Sequence, residues 1–248
     1  MNTDTYRNQH IFTEQNNQAN QLKRLLDEYE YKYMYDLRQT TFWSTMRATP
    51  VIWNVHNIIN MFSDPTPHHI YITGMYLATF YSNDIFKTIS KKIYNWWGNN
   101  NIPLLGRGSR PEGAENAGYF LKVNRPRAIT FGMPSGHAQK TAFMTTYLSI
   151  KLWESEFSNV SKIIGSSCLT VLAGYVGISR VHVEKCHTIN QVYVGYLLGA
   201  TMGLVTYEFE PEIISGVSSC LNTLKSHTST TFSNYICPML GYIIQSIH

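Results

Sequence analysis

Five windows of the chain carry no Asp, Glu, Lys or Arg: residues 48–63, 65–83, 163–179, 188–207 and 226–248. The window at 188–207 matches the ~20 residues that a helix needs to cross a bilayer. Windows 163–179 (IIGSSCLTVLAGYVGIS) and 188–207 (TINQVYVGYLLGATMGLVTY) are apolar with small residues, and both read as membrane-spanning helices. The second carries Gly195, Gly199 and Gly203, one face of small residues on which another helix backbone can approach closely. Two windows are more mixed. Residues 48–63 include Asn54, His56, Asn57 and Asn60, and 226–248 opens on a Ser/Thr cluster.

This pattern predicts helices at about 43–62, 68–87, 138–154, 162–178, 190–208 and 232–247. Residues 1–12 are expected to be disordered. Residues 13–40 have helix-forming composition with a Leu/Tyr stripe, which suits an amphipathic helix on the membrane surface or beside the bundle. The expected fold is all-α, a polytopic membrane bundle of about five to six spans. A polar segment, 1–42, precedes a membrane-embedded domain, 43–248. Between the second and third of these predicted helices runs a long loop, 88–136, and loops of that length in a compact domain are usually functional or disordered.

Composition supports this picture in one respect and complicates it in another. Charged residues make up 15% of the chain, against roughly 25% in soluble domains. The mean hydropathy of -0.20 is low for a polytopic protein; the polar first forty residues account for part of that, and a soluble helical bundle stays open as the alternative. The net charge of +4 fits ordinary solubility and gives no case for a nucleic-acid partner. Cys168, Cys186, Cys220 and Cys237 show neither CxxC nor zinc spacing, so they read as buried apolar residues. No metal motif occurs, no cofactor is implied, and no signal peptide is expected in a polar N-terminus.

The chemistry concentrates in Gly132-Met133-Pro134-Ser135-Gly136-His137-Ala138-Gln139, followed by Ser179-Arg180 and then His187. Arginine offers five fixed donors that fit a phosphoryl group. Ser135 and Gly136 add a hydroxyl and an uncrowded backbone N–H, and two histidines can divide nucleophile and acid roles. The long loop contributes Arg107, Arg110, Lys122, Arg125 and Arg127. Only two predicted helices separate it from the 179–190 loop, so both loops emerge at the same membrane face.

These residues resemble the type 2 phosphatidic acid phosphatase superfamily over about 107–208. The pattern there is a basic residue and Arg-Pro, then Pro-Ser-Gly-His, then Ser-Arg with a later His. GMPSGHAQ and HTINQVYVG are similar to the dolichyl-diphosphatase-like branch, in which Gln replaces the more usual Asp after the last histidine. The resemblance implies metal-free hydrolysis of a phosphate monoester or diphosphate, commonly on a lipid such as a lipid phosphate or an isoprenoid diphosphate, at a membrane. It makes His187 the nucleophile and His137 the acid. Arg180, Arg110, Ser135 and the Gly136 N–H would hold the phosphoryl oxygens.

Three departures stand against the pattern. The family has five residues between the Arg of Ser-Arg and the nucleophilic His, whereas Val181 to Cys186 makes six here; the extra residue has to be absorbed in a bulge or turn, and His182 is a minor alternative nucleophile. Gln191 can accept a hydrogen bond from His187 but brings no charge. Glu184 is a candidate to supply it, or else pairs with Lys185 in solvent. The family lysine is expected seven residues before the Arg of Arg-Pro, where Pro103 stands for Arg110 and Gly118 for Arg125. The Gly-flanked Arg107 and Arg110 are favoured for phosphate; Lys122 and Arg125 are a second set, or a solvated basic face near headgroups.

The positive-inside rule would make the site's face cytoplasmic, while the branch resemblance implies a luminal one, so the compartment stays open. Two rivals remain: a soluble acid phosphatase or vanadate haloperoxidase relative, and a non-catalytic lipid-binding membrane protein of the same fold.

Overall fold

The computed structural model describes residues 3–117 and 127–231. Helix α1 spans Thr3–Gln39, α2 Thr41–Ser63 and α3 Pro67–Trp97. A two-residue hairpin follows, β1 Asn101–Ile102 and β2 Gly106–Arg107. Then come α4 Gly136–Glu154, α5 Asn159–Ile178 with a π turn at Ser179–Val183, and α6 Ile189–Thr231. Local signals set several ends. The Thr40, Thr66 and Ser158 hydroxyls accept the N–H of Trp43, His69 and Ser161 at the starts of α2, α3 and α5. Pro67 fits the first turn of α3. Gly98, at φ 73°, closes that helix in the left-handed conformation.

The all-α expectation holds, with three corrections. Helix α1 begins at Thr3, so residues 3–12 are helical where disorder was expected. Helix α3 runs ten residues past its expected end at 87, to Trp97, because no breaker precedes Gly98; the long loop is therefore 98–135. Helix α6 continues past 208 to Thr231, through Pro211. The expected helix 232–247 lies outside the described residues, as do Lys122 and Arg125.

The core between α3 and α4 is aromatic: Ile72 and Tyr76 pack on Phe143, Met144 and Tyr147. The outer surface is also apolar. Ile52, Val55, Ile59 and Phe62 of α2, Val160, Ile163, Ile164 and Val171 of α5, and Leu197, Leu204 and Val205 of α6 all face outward. Asn159–Val183 is long and apolar enough to span a bilayer, yet only 11% of its apolar window is buried within the protein. A water-soluble bundle would hide such a helix in its core. The protein is an integral-membrane helical bundle.

Helices α4 and α6 run parallel in very close contact, and the glycines explain why. An added β-carbon at Gly195 would stand 2.5 Å from the Ser135 carbonyl oxygen, at Gly199 2.0 Å from that of Gln139, and at Gly203 2.8 Å from that of Phe143. The three glycines thus climb α4 turn by turn. Between them α5 returns in the opposite direction, with Gly165 against Leu152. The N-termini of α4 and α6 consequently meet at one end of the bundle, where α3 and α5 finish. Gly199→Ala is expected to destabilise the detergent-solubilised protein by about 1–3 kcal/mol through overpacking. Gly174→Ala, with nothing within 4 Å of its added carbon, should leave the melting temperature unchanged or raised; equal shifts for the two would contradict the packing.

Candidate active site

The shared end of α4 and α6 is closed by a backbone bond, Ser135 N–H to the Gln191 carbonyl at 2.9 Å. Ser135 is the residue before α4, and Gly136 and His137 open the helix. Ser135 and His137 are buried. Gly136 packs on Asn83 of α3, whose amide would be 2.7 Å from an added β-carbon.

The His187 loop is built by the π turn. Such a turn holds one residue more than an α turn, and Glu184 N–H accordingly reaches back to Ser179 O at 2.7 Å. Lys185 then takes a left-handed φ of 49°, and the N–H groups of Cys186 and His187 both return to Arg180 O, at 3.1 and 3.3 Å. The sixth residue between Arg180 and His187 is thereby absorbed, and both side chains are buried together. His182 is exposed and lines an apolar groove with Gly174, Ile189 and Tyr196, away from His187.

Gln191 is the hub of the site. Its Nε2 donates to the carbonyls of Arg107 at 2.9 Å and Ser109 at 2.7 Å. That fixes the amide orientation and turns Oε1 to His187 Nδ1, 3.0 Å away. Since Oε1 can only accept, Nδ1 carries the hydrogen and Nε2 keeps its lone pair. Gly132 makes room for this amide, because an added β-carbon there would lie 2.6 Å from it. His187 Nε2 faces Arg110 Nη1 at 3.3 Å. Arg110 is itself held by the Cys186 carbonyl at 2.9 Å and by Thr130 O and Oγ1 at 3.1 and 2.9 Å. Burial, then the Arg110 and Arg180 charges, push His187 well below its ordinary value near 6.5. The imidazole is neutral at pH 7.

Arg180 donates from Nη2 to Ala117 O at 2.6 Å. Its Nε and Nη1, and the Ser135 hydroxyl, are buried with no hydrogen-bond partner among the described residues. Buried donors in that condition cost free energy unless a ligand acceptor meets them. Arg107 is exposed, with Nε on Ser109 Oγ at 2.9 Å, and lines a cavity of about 500 Å³ with Arg110, Arg127, Thr130 and Lys91. Glu184 is drawn toward α2. Its carboxylate is buried against Arg47 Nη1 of α2 at 2.5 Å, while Lys185 pairs with Glu30 of α1. The buried pair ties the π turn to α2. Among the described residues no cluster of three metal-ligating side chains occurs.

Several residues at the site escaped the sequence reading. Lys87 reaches it from α3, its charge bearing on Arg110 and Arg180 and on both histidines. Lys91 stands at the mouth one turn further on. No lysine occupies the expected spacing before Arg110, but a helical one does come close in space. The signal was available in Asn83, Lys87 and Lys91, a four-residue periodicity that would have extended α3. Gln139 was part of the motif without a role; it accepts from Asn83 Nδ2 at 2.7 Å and donates to Ser82 Oγ at 3.1 Å, locking α4 to α3.

Fold and site together define a membrane helical bundle with two buried histidines beside Arg110 and Arg180 at one end. The chain belongs to the PAP2 superfamily, whose family model matches residues 45–215. It is similar to the dolichyldiphosphatase of Saccharomyces cerevisiae, 39% identical over 96 residues, which are 33% of this chain and 40% of the relative. It is also similar to dolichyldiphosphatase 1 of Dictyostelium discoideum, 31% identical over 96 residues, covering 35% of this chain and 42% of that one. The chain matches only about two fifths of the length of either relative. A transmembrane PAP2 type phosphatidylglycerolphosphate phosphatase from Bacillus subtilis aligns with a TM-score of 0.44 at 18% identity, over 77% of this chain and 87% of that one.

Two measurements check the geometry. In histidine-labelled protein, the resonance lost in His187→Gln should titrate below pH 6.5, and Arg110→Met should move it upward, since removing a neighbouring cation favours the imidazolium. Gln191→Glu keeps an acceptor for His187 but sets a carboxylate against the loop carbonyls; it should weaken vanadate binding by about tenfold or more, and unchanged binding would remove Gln191 from its hub position.

Proposed function

We propose that the protein hydrolyses a lipid phosphate or a polyprenyl, dolichyl-like diphosphate through a phosphohistidine on His187. The observation that carries this reading is the His187 geometry: a neutral imidazole with Nδ1–H on Gln191, Nε2 turned to Arg110, and the partnerless donors of Arg180 and Ser135 nearby. The Nε2 lone pair forms a bond to phosphorus as the phosphorus–oxygen bond of the leaving group breaks. The leaving oxygen keeps that electron pair and takes a proton from His137. His137 then accepts a proton from water, whose oxygen displaces His187 and releases phosphate.

Arg180, Arg110, Ser135 and the Gly136 N–H bind the oxygens as negative charge shifts in the transition state. Lys87 adds a cation from α3, and Arg107 with Lys91 draws the headgroup into the mouth. Lys122 and Arg125 belong to the proposed phosphate-binding set on sequence grounds alone. Gln191 orients the nucleophile, whereas Glu184 acts through Arg47 to hold the loop. The outward apolar belt favours a lipid over a soluble ester, and absorption of the extra residue by the π turn removes the main ground for a non-catalytic relic.

Phosphate release is measured from phosphatidic acid, diacylglycerol pyrophosphate, dolichyl diphosphate and a soluble ester, with EDTA present. Release is expected from at least one lipid, falling to background in His187→Ala and by about a hundredfold or more in His137→Ala. Equal release by wild type and His187→Ala would exclude the nucleophile, and no release from any lipid would exclude the activity.

A further inference from the structure

The tip of the β1–β2 hairpin breaks the rules of its own turn. Tight hairpin loops favour Gly, Asn or Asp, which accept a positive φ and face water at little cost. Here the loop is Pro103-Leu104-Leu105, directly after Ile102. Leu104 holds a φ of 68°, and across it the Leu105 N–H donates to Pro103 O at 2.9 Å. A bulky residue in that left-handed region is strained. The protein gives Leu104 no packing in return, for its side chain is 99% exposed. Strain and apolar exposure at one residue point to a role outside the fold itself.

The hairpin is fastened to two helices at the site's end of the bundle. Asn190 Nδ2 of α6 donates to Leu104 O at 3.2 Å, and Gly106 rests on the same side chain, where an added β-carbon would lie 2.6 Å from that nitrogen. Asn190 shares one face of α6 with Tyr193 and Leu197, both of which are exposed to the lipid side. On its other flank the hairpin takes a bond from Tyr94 of α3 to Gly106 O, 2.9 Å, and α3 ends on exposed Trp96 and Trp97. Exposed Trp and Tyr at helix ends collect at the headgroup level of a bilayer. Leu104 therefore prolongs the lipid-facing surface of α6 at that level. Strand β2 then leads straight into the site, where the carbonyls of Arg107 and Ser109 accept from Gln191.

We propose that the hairpin tip, Leu104 with Leu105, is an interfacial anchor that enters the lipid layer beside α6 and holds the arginine loop at the headgroup plane. The partner is the bilayer itself. Immersion gives Leu104 the burial that the protein withholds, and the outward face of α6 makes the contact continuous. The anchor stands independently of the hydrolytic reading above, while its effect on turnover rests on that reading: a lipid phosphate is met at the depth where it already lies.

Leu104→Asn removes the apolar tip but keeps a residue that accepts a left-handed φ, so its melting temperature in detergent should equal or exceed that of wild type. In vesicles, kcat/KM on the lipid released best in the phosphate assay should fall about tenfold or more, the effect of losing one buried leucine. A water-soluble short-chain homologue of that lipid should change by less than about twofold, and Leu104→Met should retain the vesicle activity. Equal losses on both substrates, or none, overturn the proposal. A second arm needs no turnover. Cys168, Cys220 and Cys237 are replaced by Ser, the buried Cys186 is kept, and Leu104→Cys carries a nitroxide in phosphatidylcholine vesicles. The nitroxide should collide more often with oxygen, which concentrates among acyl chains, than with a water-soluble nickel chelate. The reverse order overturns the anchor. The expected order, with no phosphate released from any lipid by wild type, supports the anchor and overturns the hydrolytic reading alone.

Discussion

The packing of Gly195, Gly199 and Gly203 onto the backbone of α4 is the constraint from which the site follows. Three successive turns of α6 lie against carbonyl oxygens of α4 with no room for a β-carbon. In a lipid environment helices gain little by hiding apolar side chains from one another, so close backbone contact and dispersion supply the adhesion. Because the ridge begins one turn after Gln191, it also sets the height of α6 relative to Ser135. The hydrogen bond from Ser135 N–H to Gln191 O closes the remaining gap. Both histidines then come from fixed points: His137 from the first turn of α4, His187 from the residues just before α6.

Gln191 extends that rigidity into the loop. A carboxylate in its place would orient His187 but would repel the carbonyls of Arg107 and Ser109, which the amide N–H groups hold. One neutral side chain therefore joins the His187 tautomer to the position of the arginine loop. The arrangement leaves the site strongly positive, with Arg110, Arg180 and Lys87 acting on a buried neutral imidazole. In the folded protein that excess cation is destabilising by itself, and it is offset only where an anion enters. Glu184, the one buried carboxylate close in sequence, is paired with Arg47 of α2.

The end of the bundle away from the site has a different character. There Glu210 of α6 takes a bond from Tyr147, 3.0 Å, and pairs with Lys151 at 3.2 Å and His68 at 2.7 Å. At that end Glu154, Glu208 and Glu210 surround Lys151 in one cavity, while at the candidate site the described cations outnumber the carboxylates. The charge asymmetry between the two ends follows from which helix termini carry the loops with basic residues.

The sequence alone determined the helical class and the windows that become α2 to α6, and it singled out His137, Arg180, His187 and Gln191 as candidates. Charge-free windows and a glycine period are local patterns, and local patterns survive in one dimension. It placed the end of α3 ten residues early, and so missed Lys87 and Lys91, because the helix there is amphipathic and not uniformly apolar. What only the tertiary structure decided is which charges meet. Glu184 joins Arg47, 137 residues away, and Lys140 seats its ammonium over the Phe80 ring of α3. The π turn that carries the extra residue is likewise decided by the bonds of Cys186 and His187 to Arg180 O. Such pairings depend on helix register and on which carbonyl lies within about 3 Å, quantities that spacing along the chain does not contain.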